Sequence, residues 1–373
     1  MKILHLLYES RGDYFGIGGV GVRAYEIYRH LKGRHDITLL CKKYPGAADG
    51  YKDGLQHRFA GTESKSLTKT FLAYAYKAAQ FVRDRGDSYD IIVEEFSPAI
   101  PTFLHAVAGK PVVLQVQGYT GALYFRKYNP LYASALSLME QLRPACYRNF
   151  IFINDETAAR SRKNPKSRIA IIANGVSPEL LGTPASEGDY VLYFGRIDIF
   201  GKGLDLLLAA YGDFSQRLPD IGLVIAGNGR DMEKFKAAVM MLPGEVRRKI
   251  EFTGWVSGDR KTEVLRKAAF AVFPSRHEVQ PIAVLEAMAC GKPVVVSDIA
   301  GFSFVKQSGA GITFKSGDAS SLALSMKELA QRKDRRDIGL KGRESAKDMT
   351  WEKVAARFEK FLIDTANGDK SRR

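Results

Sequence analysis

"FPSRHEVQPIAVLEAMACGKPVVVSDIAG", residues 273–301, decides the reading of the fold. An apolar run, AAFAVFPS (268–275), leads into it. IAVLEAMA is apolar at nearly every position and stops before Gly291, a residue suited to end a helix. Pro281 fits the first helical position, where its missing N–H leaves no bond unmade. Lys292-Pro293 opens a second apolar run, KPVVVSD (292–298). Strand, helix and strand in roughly thirty residues make a βαβ unit. Its strands are buried on both faces, so they read as continuous Val/Ala/Phe runs and do not alternate.

The same alternation continues in both directions. Upstream runs are ILHLLY (3–8), DITLLC (36–41), DIIVEEF (90–96), PVVLQVQ (111–117), FIFIN (150–154) and RIAIIAN (168–174). DYVLYFGR (189–196), IGLVIAG (221–227) and KIEFTGW (249–255) follow, with AGITF (310–314) beyond the opening stretch. Helical patterns such as VRAYEIYRHL and LTKTFLAYAYKAAQFVRD lie between them. The pattern predicts an α/β protein with two parallel sheets, each covered by helices on both faces. NGVSPELLGTPASEGD (174–189), rich in Gly, Pro and Ser, reads as the link. We place one domain at 1–180 and a second at 181–350. A helix within 351–373 packs back toward the first domain and ends in a polar tail. Ligands of open α/β sheets bind beyond the carboxyl ends of the strands.

The chain of 373 residues is 45% hydrophobic and 26% charged, an ordinary globular balance. No apolar run approaches the ~18 residues of a membrane span. MKILHLLYES has no small-residue cleavage site and reads as a first strand, not a leader. Cys41, Cys146 and Cys290 show neither pairing nor metal spacing, which suits the reducing cytoplasm. The formal charge is +15, with 25 basic and 16 acidic residues up to Glu179 and 31 and 25 after it. Phosphorylated substrates or an anionic membrane surface account for such an excess. No zinc-finger, bZIP or RNP pattern is present, so nucleic acid is not an expected partner.

"YFGIGGVGVRAYE" (14–26) contains Gly16-x-Gly18-x-x-Gly21, the spacing of a dinucleotide fingerprint. Its context fails. ESRGDYF separates Tyr8 from Gly16, and the second strand ends in Cys41-Lys42-Lys43 with no carboxylate for a ribose. Gly18 and Gly19 either let backbone N–H groups approach an anion at a helix N-terminus or only form a tight strand-to-helix turn. Arg196 ends a strand, and Lys202 follows in a glycine-rich turn before a helix from about Leu204. A forked guanidinium and a point-charge ammonium there suit a diphosphate, although two surface cations are also common in so basic a chain. Glu278 and Glu286 sit eight residues apart. Glu286 lies in an apolar helix, where a carboxylate is costly unless it meets a ligand or a nearby Lys or Arg, or stays partly exposed. Glu278 precedes that helix and could instead cap it. Free N–H groups around Gln280, Ile282 and Ala283 face the carboxyl end of the sheet.

Taken together, these residues resemble glycosyltransferase family 4. Gly18-Gly19-x-x-x-Arg23, Ala173-Asn174-Gly175-Val176, Gly195-Arg196 with Lys202-Gly203, and Glu278-x7-Glu286 with LEAMACGKPVVVSD occur in the family's order and spacing. The resemblance implies a GT-B fold, two Rossmann-like parallel-sheet domains facing across a cleft. It implies a retaining, metal-independent hexosyltransferase that needs no cofactor beyond a UDP- or GDP-sugar donor. Arg196 and Lys202 would hold the diphosphate, Glu278 the donor-sugar hydroxyls and Glu286 the ribose. Gln280, Pro281 and Ile282 would line the sugar–diphosphate site, and Trp255-Val256 the base. Gly18 and Gly19 would reach the diphosphate from the first domain. Many relatives have a histidine where this chain has Gln117, which hydrogen-bonds but does not transfer protons. An epimerase of the same fold, or a non-catalytic nucleotide-binding relative, would carry the same donor motifs.

The acceptor, a saccharide or a lipid-linked one, would be read by the first domain. There GYTGALYFRKYNPLYASALSLMEQLRPACYRNF (118–150) mixes aromatics with Arg126, Lys127, Arg143 and Arg148. LTKTFLAYAYKAAQFVRDR (67–85) is similar. Both suit peripheral contact with anionic lipid on the cytoplasmic membrane face or a lipid-diphosphate acceptor, and equally amphipathic helices packed on the sheet with their cations reaching out to water.

Overall fold

The computed structural model describes residues 1–12, 17–184 and 186–370. Gly16 of the glycine fingerprint lies outside them. The chain divides into two units. Met1–Asn174 with Trp351–Arg373 form the first, and Gly175–Thr350 the second.

The first unit is built on β1 (Lys2–Leu7), β2 (Asp36–Lys42), β3 (Gly50–Lys52), β4 (Leu55–Ala60), β5 (Ile91–Glu95), β6 (Val112–Val116), β7 (Asn149–Phe152) and β8 (Arg168–Ile171). They lie in the order β3-β4-β2-β1-β5-β6-β7-β8. All pair in parallel except the β3–β4 hairpin. The second unit carries β9 (Tyr190–Phe194), β10 (Gly222–Ala226), β11 (Ile250–Gly254), β12 (Ala268–Phe273), β13 (Val294–Ser297) and β14 (Gly311–Phe314). Their order is β11-β10-β9-β12-β13-β14, parallel throughout. Strand order reverses between β1 and β5 in one sheet and between β9 and β12 in the other. At such a switch the connections leave in opposite directions and open a crevice above the strands' carboxyl ends.

Continuous burial explains the parallel ladders. Every residue of β12 and β13 is buried, between one apolar layer that includes Leu207, Phe214 and Met326 and another that includes Val284, Leu285 and Met288. The hairpin was not expected from the sequence. LQHRFA mixes polar and apolar residues, and its outer face is partly exposed. The turn before it does carry a signal, because Asp53 (φ 56°) and Gly54 (φ 80°) both sit at positive φ as an Asp-Gly hairpin turn requires.

The first unit ends at Asn174, short of residue 180. The Val176 N–H bonds the Met349 carbonyl and Val176 pairs with Thr350, which ties the chain after Asn174 to the second unit. The helix Trp351–Lys370 then packs on the helix Gly19–Leu31, where Phe358 meets Tyr28 edge-on at 5.9 Å. Pro281 stands one place earlier than expected. It is the N-cap, with extended backbone, and the helix runs Ile282–Ala289.

Candidate functional site

In the second unit Arg196, Lys202 and Glu278 lie in the loops after β9 and β12, at the switch, while Trp255 and Val256 follow β11 at the edge of the sheet. β9 runs into Gly195-Arg196, and β12 runs into Pro274-Ser275. The backbones there approach closely. A Cβ on Gly203 would lie 2.0 Å from the Pro274 carbonyl oxygen, and one on Gly227 only 1.8 Å from that of Gly195. Gly203 (φ 66°) and Gly227 (φ 154°) also occupy the region that favours glycine. Gly227-Asn228-Gly229, after β10, thus packs against the Arg196 loop, and the Ile197 N–H bonds the Asn228 carbonyl at 2.9 Å. A glycine pair at a strand's carboxyl end was the signal for this contact, and the sequence reading passed over it.

The loop 197–203 is braced before it presents Lys202. Asp198 Oδ1 accepts the Gly201 N–H at 2.9 Å, and Asp231 Oδ2 accepts the Ile199 N–H at 3.0 Å. Arg276 forks onto Asp205 at 2.7 and 2.6 Å, donates to the Phe200 carbonyl at 2.8 Å and stacks on the Phe200 ring. Lys202 Nζ meets Glu278 Oε1, which also accepts from Ser275 Oγ at 2.9 Å. Two residues separated by a whole βαβαβ stretch thereby form one ion pair. Arg196 is exposed, and no ion pair holds its guanidinium among the described residues. Glu278 and the half-buried Gln280, Pro281 and Ile282 continue the rim. The loop after β13 closes against this segment, since a Cβ on Gly301 would lie 2.1 Å from the Glu278 carbonyl oxygen.

Glu286 has the basic partner that its apolar helix demanded. Lys261 Nζ stands 2.6 Å from its Oε1. Trp255 is 64% exposed, so its ring is available for stacking. Val256 is buried, so only its main chain can face a ligand.

In the first unit Glu9, unmarked by any motif, fills the entry to the helix Gly19–Leu31. Its Oε2 accepts the Gly18 and Gly21 N–H groups, both at 2.9 Å. An external anion at Gly18 must displace that carboxylate. Gly19 is exposed, and among the described residues outside its own helix no atom lies within 4 Å of a would-be Cβ. Arg23 is fully buried and bonds the Ile172 and Ala173 carbonyls and Asn174 Oδ1, so two motif segments are joined. Burial lowers its guanidinium pKa to about 10.

Gln117 donates from Nε2 to Glu95 Oε2 at 3.0 Å. A carboxylate only accepts, so this contact assigns Nε2 to Glu95 and leaves the amide's carbonyl oxygen as its acceptor. Glu95 is buried and lies 3.2 Å from His5 Nε2, while His5 Nδ1 meets the Tyr28 hydroxyl at 2.8 Å.

Arg143 does not belong to the expected basic surface. It is buried, pairs with Glu94 and donates to the Ser97 and Ile100 carbonyls at 2.7 and 2.8 Å. The guanidinium supplies the charge that makes a buried Glu94 tolerable. Arg126, Lys127 and Arg148 are exposed.

Comparison with known proteins agrees with this geometry. Residues 17–180 match the model described as Glycosyltransferase Family 4, and residues 188–332 match the model of glycosyl transferases group 1. An uncharacterized glycosyltransferase of Methanocaldococcus jannaschii is 31% identical over 359 residues, 94% of this chain and 96% of that protein. A phosphatidyl-myo-inositol mannosyltransferase of Mycobacterium leprae is 32% identical over 197 residues, about half of each chain (50% and 51%). Anabaena HepE, solved in complex with UDP and glucose, superposes with a TM-score of 0.73 over 97% of this chain and 99% of that one, at 16% identity. Paired with the GT-B fold of its two sheets, these matches make the chain a member of glycosyltransferase family 4, and so a transferase.

Proposed function

We propose that the second unit binds a UDP- or GDP-sugar and that the protein transfers the sugar, with retention at the anomeric carbon, to a saccharide or lipid-linked acceptor. The observation that carries this reading is the Lys202–Glu278 pair, set with the strand-end Arg196 in the loops that follow β9 and β12 at the switch. Breaking the sugar–phosphate bond leaves new negative charge on a nucleoside diphosphate. Fixed cations beside it stabilise the transition state more than the ground state. Lys202 is held in place by Glu278 through a braced loop, so little reorganisation is needed as charge develops. Arg196 adds a forked donor to the diphosphate oxygens. Glu278 accepts from sugar hydroxyls, and Gln280, Pro281 and Ile282 shape the wall beside it. Glu286 receives the ribose, and Trp255 stacks on the base while the Val256 main chain faces it. In this reading the donor phosphate takes the acceptor proton, so no protein nucleophile is required. HepE's bound UDP supports the donor class. The mannosyltransferase likeness supports a lipid-linked acceptor.

A thermal-shift series with UDP, GDP and their sugars tests the reading. One nucleotide family is expected to raise the melting temperature, because a ligand of the folded state alone stabilises it. Lys202→Ala is expected to abolish that shift for the diphosphate and to cut donor turnover by about 10²-fold or more. Near-normal turnover in this variant would refute the site.

A further inference from the structure

We infer that Lys261 is a positioning residue for nucleotide recognition, making the Lys261–Glu286 pair the element that distinguishes ribose from deoxyribose. The inference rests on the reading that Glu286 receives the ribose. Lys261 Nζ lies 2.6 Å from Glu286 Oε1, and the two side chains are only 22% and 13% exposed. An ammonium on one carboxylate oxygen restricts rotation of the group and so narrows the directions in which the carboxylate can meet a ligand hydroxyl.

Chain connectivity strengthens the case. Lys261 lies in the helix Gly258–Lys267, which starts directly after Trp255-Val256. Val256 and Leu265 share a core layer with Val284 and Leu285 of the Glu286 helix. One short rigid stretch, 255–261, therefore carries both the base-facing segment and the clamp on the ribose-facing carboxylate. Lys267–Glu263, at 2.7 Å on the same helix, is exposed and reaches no site residue, so it serves as a control pair.

The test measures dissociation constants of UDP and 2′-deoxy-UDP, or GDP and 2′-deoxy-GDP if guanine is the base. The proteins are the full-length chain, E286Q, K261M, K261Q and K267M. The unaltered protein and K267M are expected to prefer the ribonucleotide by about tenfold or more, as a hydroxyl bonded to a charged group implies. K261M should lose most of that preference while binding the deoxynucleotide nearly as before. K261Q, which keeps a donor on a shorter stem, should show the same loss if K261M proves too unstable to measure. Equal weakening of both nucleotides by the Lys261 variants would mean that the residue only joins two helices, and the inference falls. So would an intact preference in them beside a lost one in E286Q. An intact preference in E286Q would remove the ribose assignment itself, and the inference with it.

Discussion

Lys292 shows how much one buried amine weighs in this chain. It is 2% exposed, and its ammonium donates to the Ser186 carbonyl at 2.7 Å. Burial lowers its pKa from 10.5 to about 8, because a charge removed from water favours the neutral form. The folded state therefore releases this proton before the unfolded chain does. Below pH 8 the whole cost of burying the charge is present. Between about pH 8 and 10.5 the unfolded chain binds more protons, so this group makes stability rise with pH, by about 3 kcal/mol in all. Lys292→Met is expected to lack that rise. Urea midpoints for both proteins across the window check this, and parallel curves would contradict it. Residue-scale needs such as this were partly legible. The apolar company of Glu286 demanded a partner, but that the partner is Lys261 is a matter of helix packing. Glu9 gave no local sign, since its bonds to the Gly18 and Gly21 N–H groups join positions nine and twelve residues away.

The loops at the carboxyl ends of β9, β10 and β12 behave as one element because their backbones touch. Gly227→Ala would place a methyl against the Gly195 carbonyl at a φ that alanine avoids. The expected cost is about 2–4 kcal/mol, together with lost turnover as the Arg196 loop shifts. Gly212 offers the contrast. It lies in the helix Leu204–Arg217 with nothing within 4 Å of a would-be Cβ, so Gly212→Ala should stabilise by up to about 1 kcal/mol. Chemical denaturation of both variants decides between them. If Gly227→Ala is as mild as Gly212→Ala, the close approach is not structural. At this scale the sequence located the elements well. Every expected strand forms, within a residue or two at most ends. The hairpin β3–β4 was missed because an edge pair with an exposed face lacks the continuous apolar run that marked the others.

The last helix of the chain belongs to the first unit. Trp351, Val354, Phe358, Phe361 and Leu362 are buried, and Glu359 meets His35 and Arg34 at 2.6 and 3.0 Å. At about 2 kcal/mol for each large apolar side chain, their loss rivals the stability of a whole domain. A chain ending at residue 350 is expected to lose the unfolding transition of the first unit and keep that of the second. Calorimetry distinguishes the two, and an unchanged trace would contradict the packing. The first unit also exposes Leu72 and Tyr76 on the helix Leu67–Arg85, Phe125, Leu131 and Leu138, and the cations Arg126, Lys127 and Arg148. No helix among the described residues is long and apolar enough to cross a membrane. We propose that these surfaces touch anionic lipid. Co-sedimentation with vesicles containing anionic lipid should fall as salt rises, and no binding at low salt would refute it.

The sequence by itself determined the two parallel sheets, the glycine turns that feed them and the four motif segments. Apolar runs, turn chemistry and spacing are local properties, written in order along the chain. Only the tertiary structure decided which charges meet. Lys202 with Glu278, Lys261 with Glu286 and Arg143 with Glu94 are pairs made by strand order and helix packing. A side chain's electrostatic partner depends on distance in space, which the one-dimensional pattern does not carry.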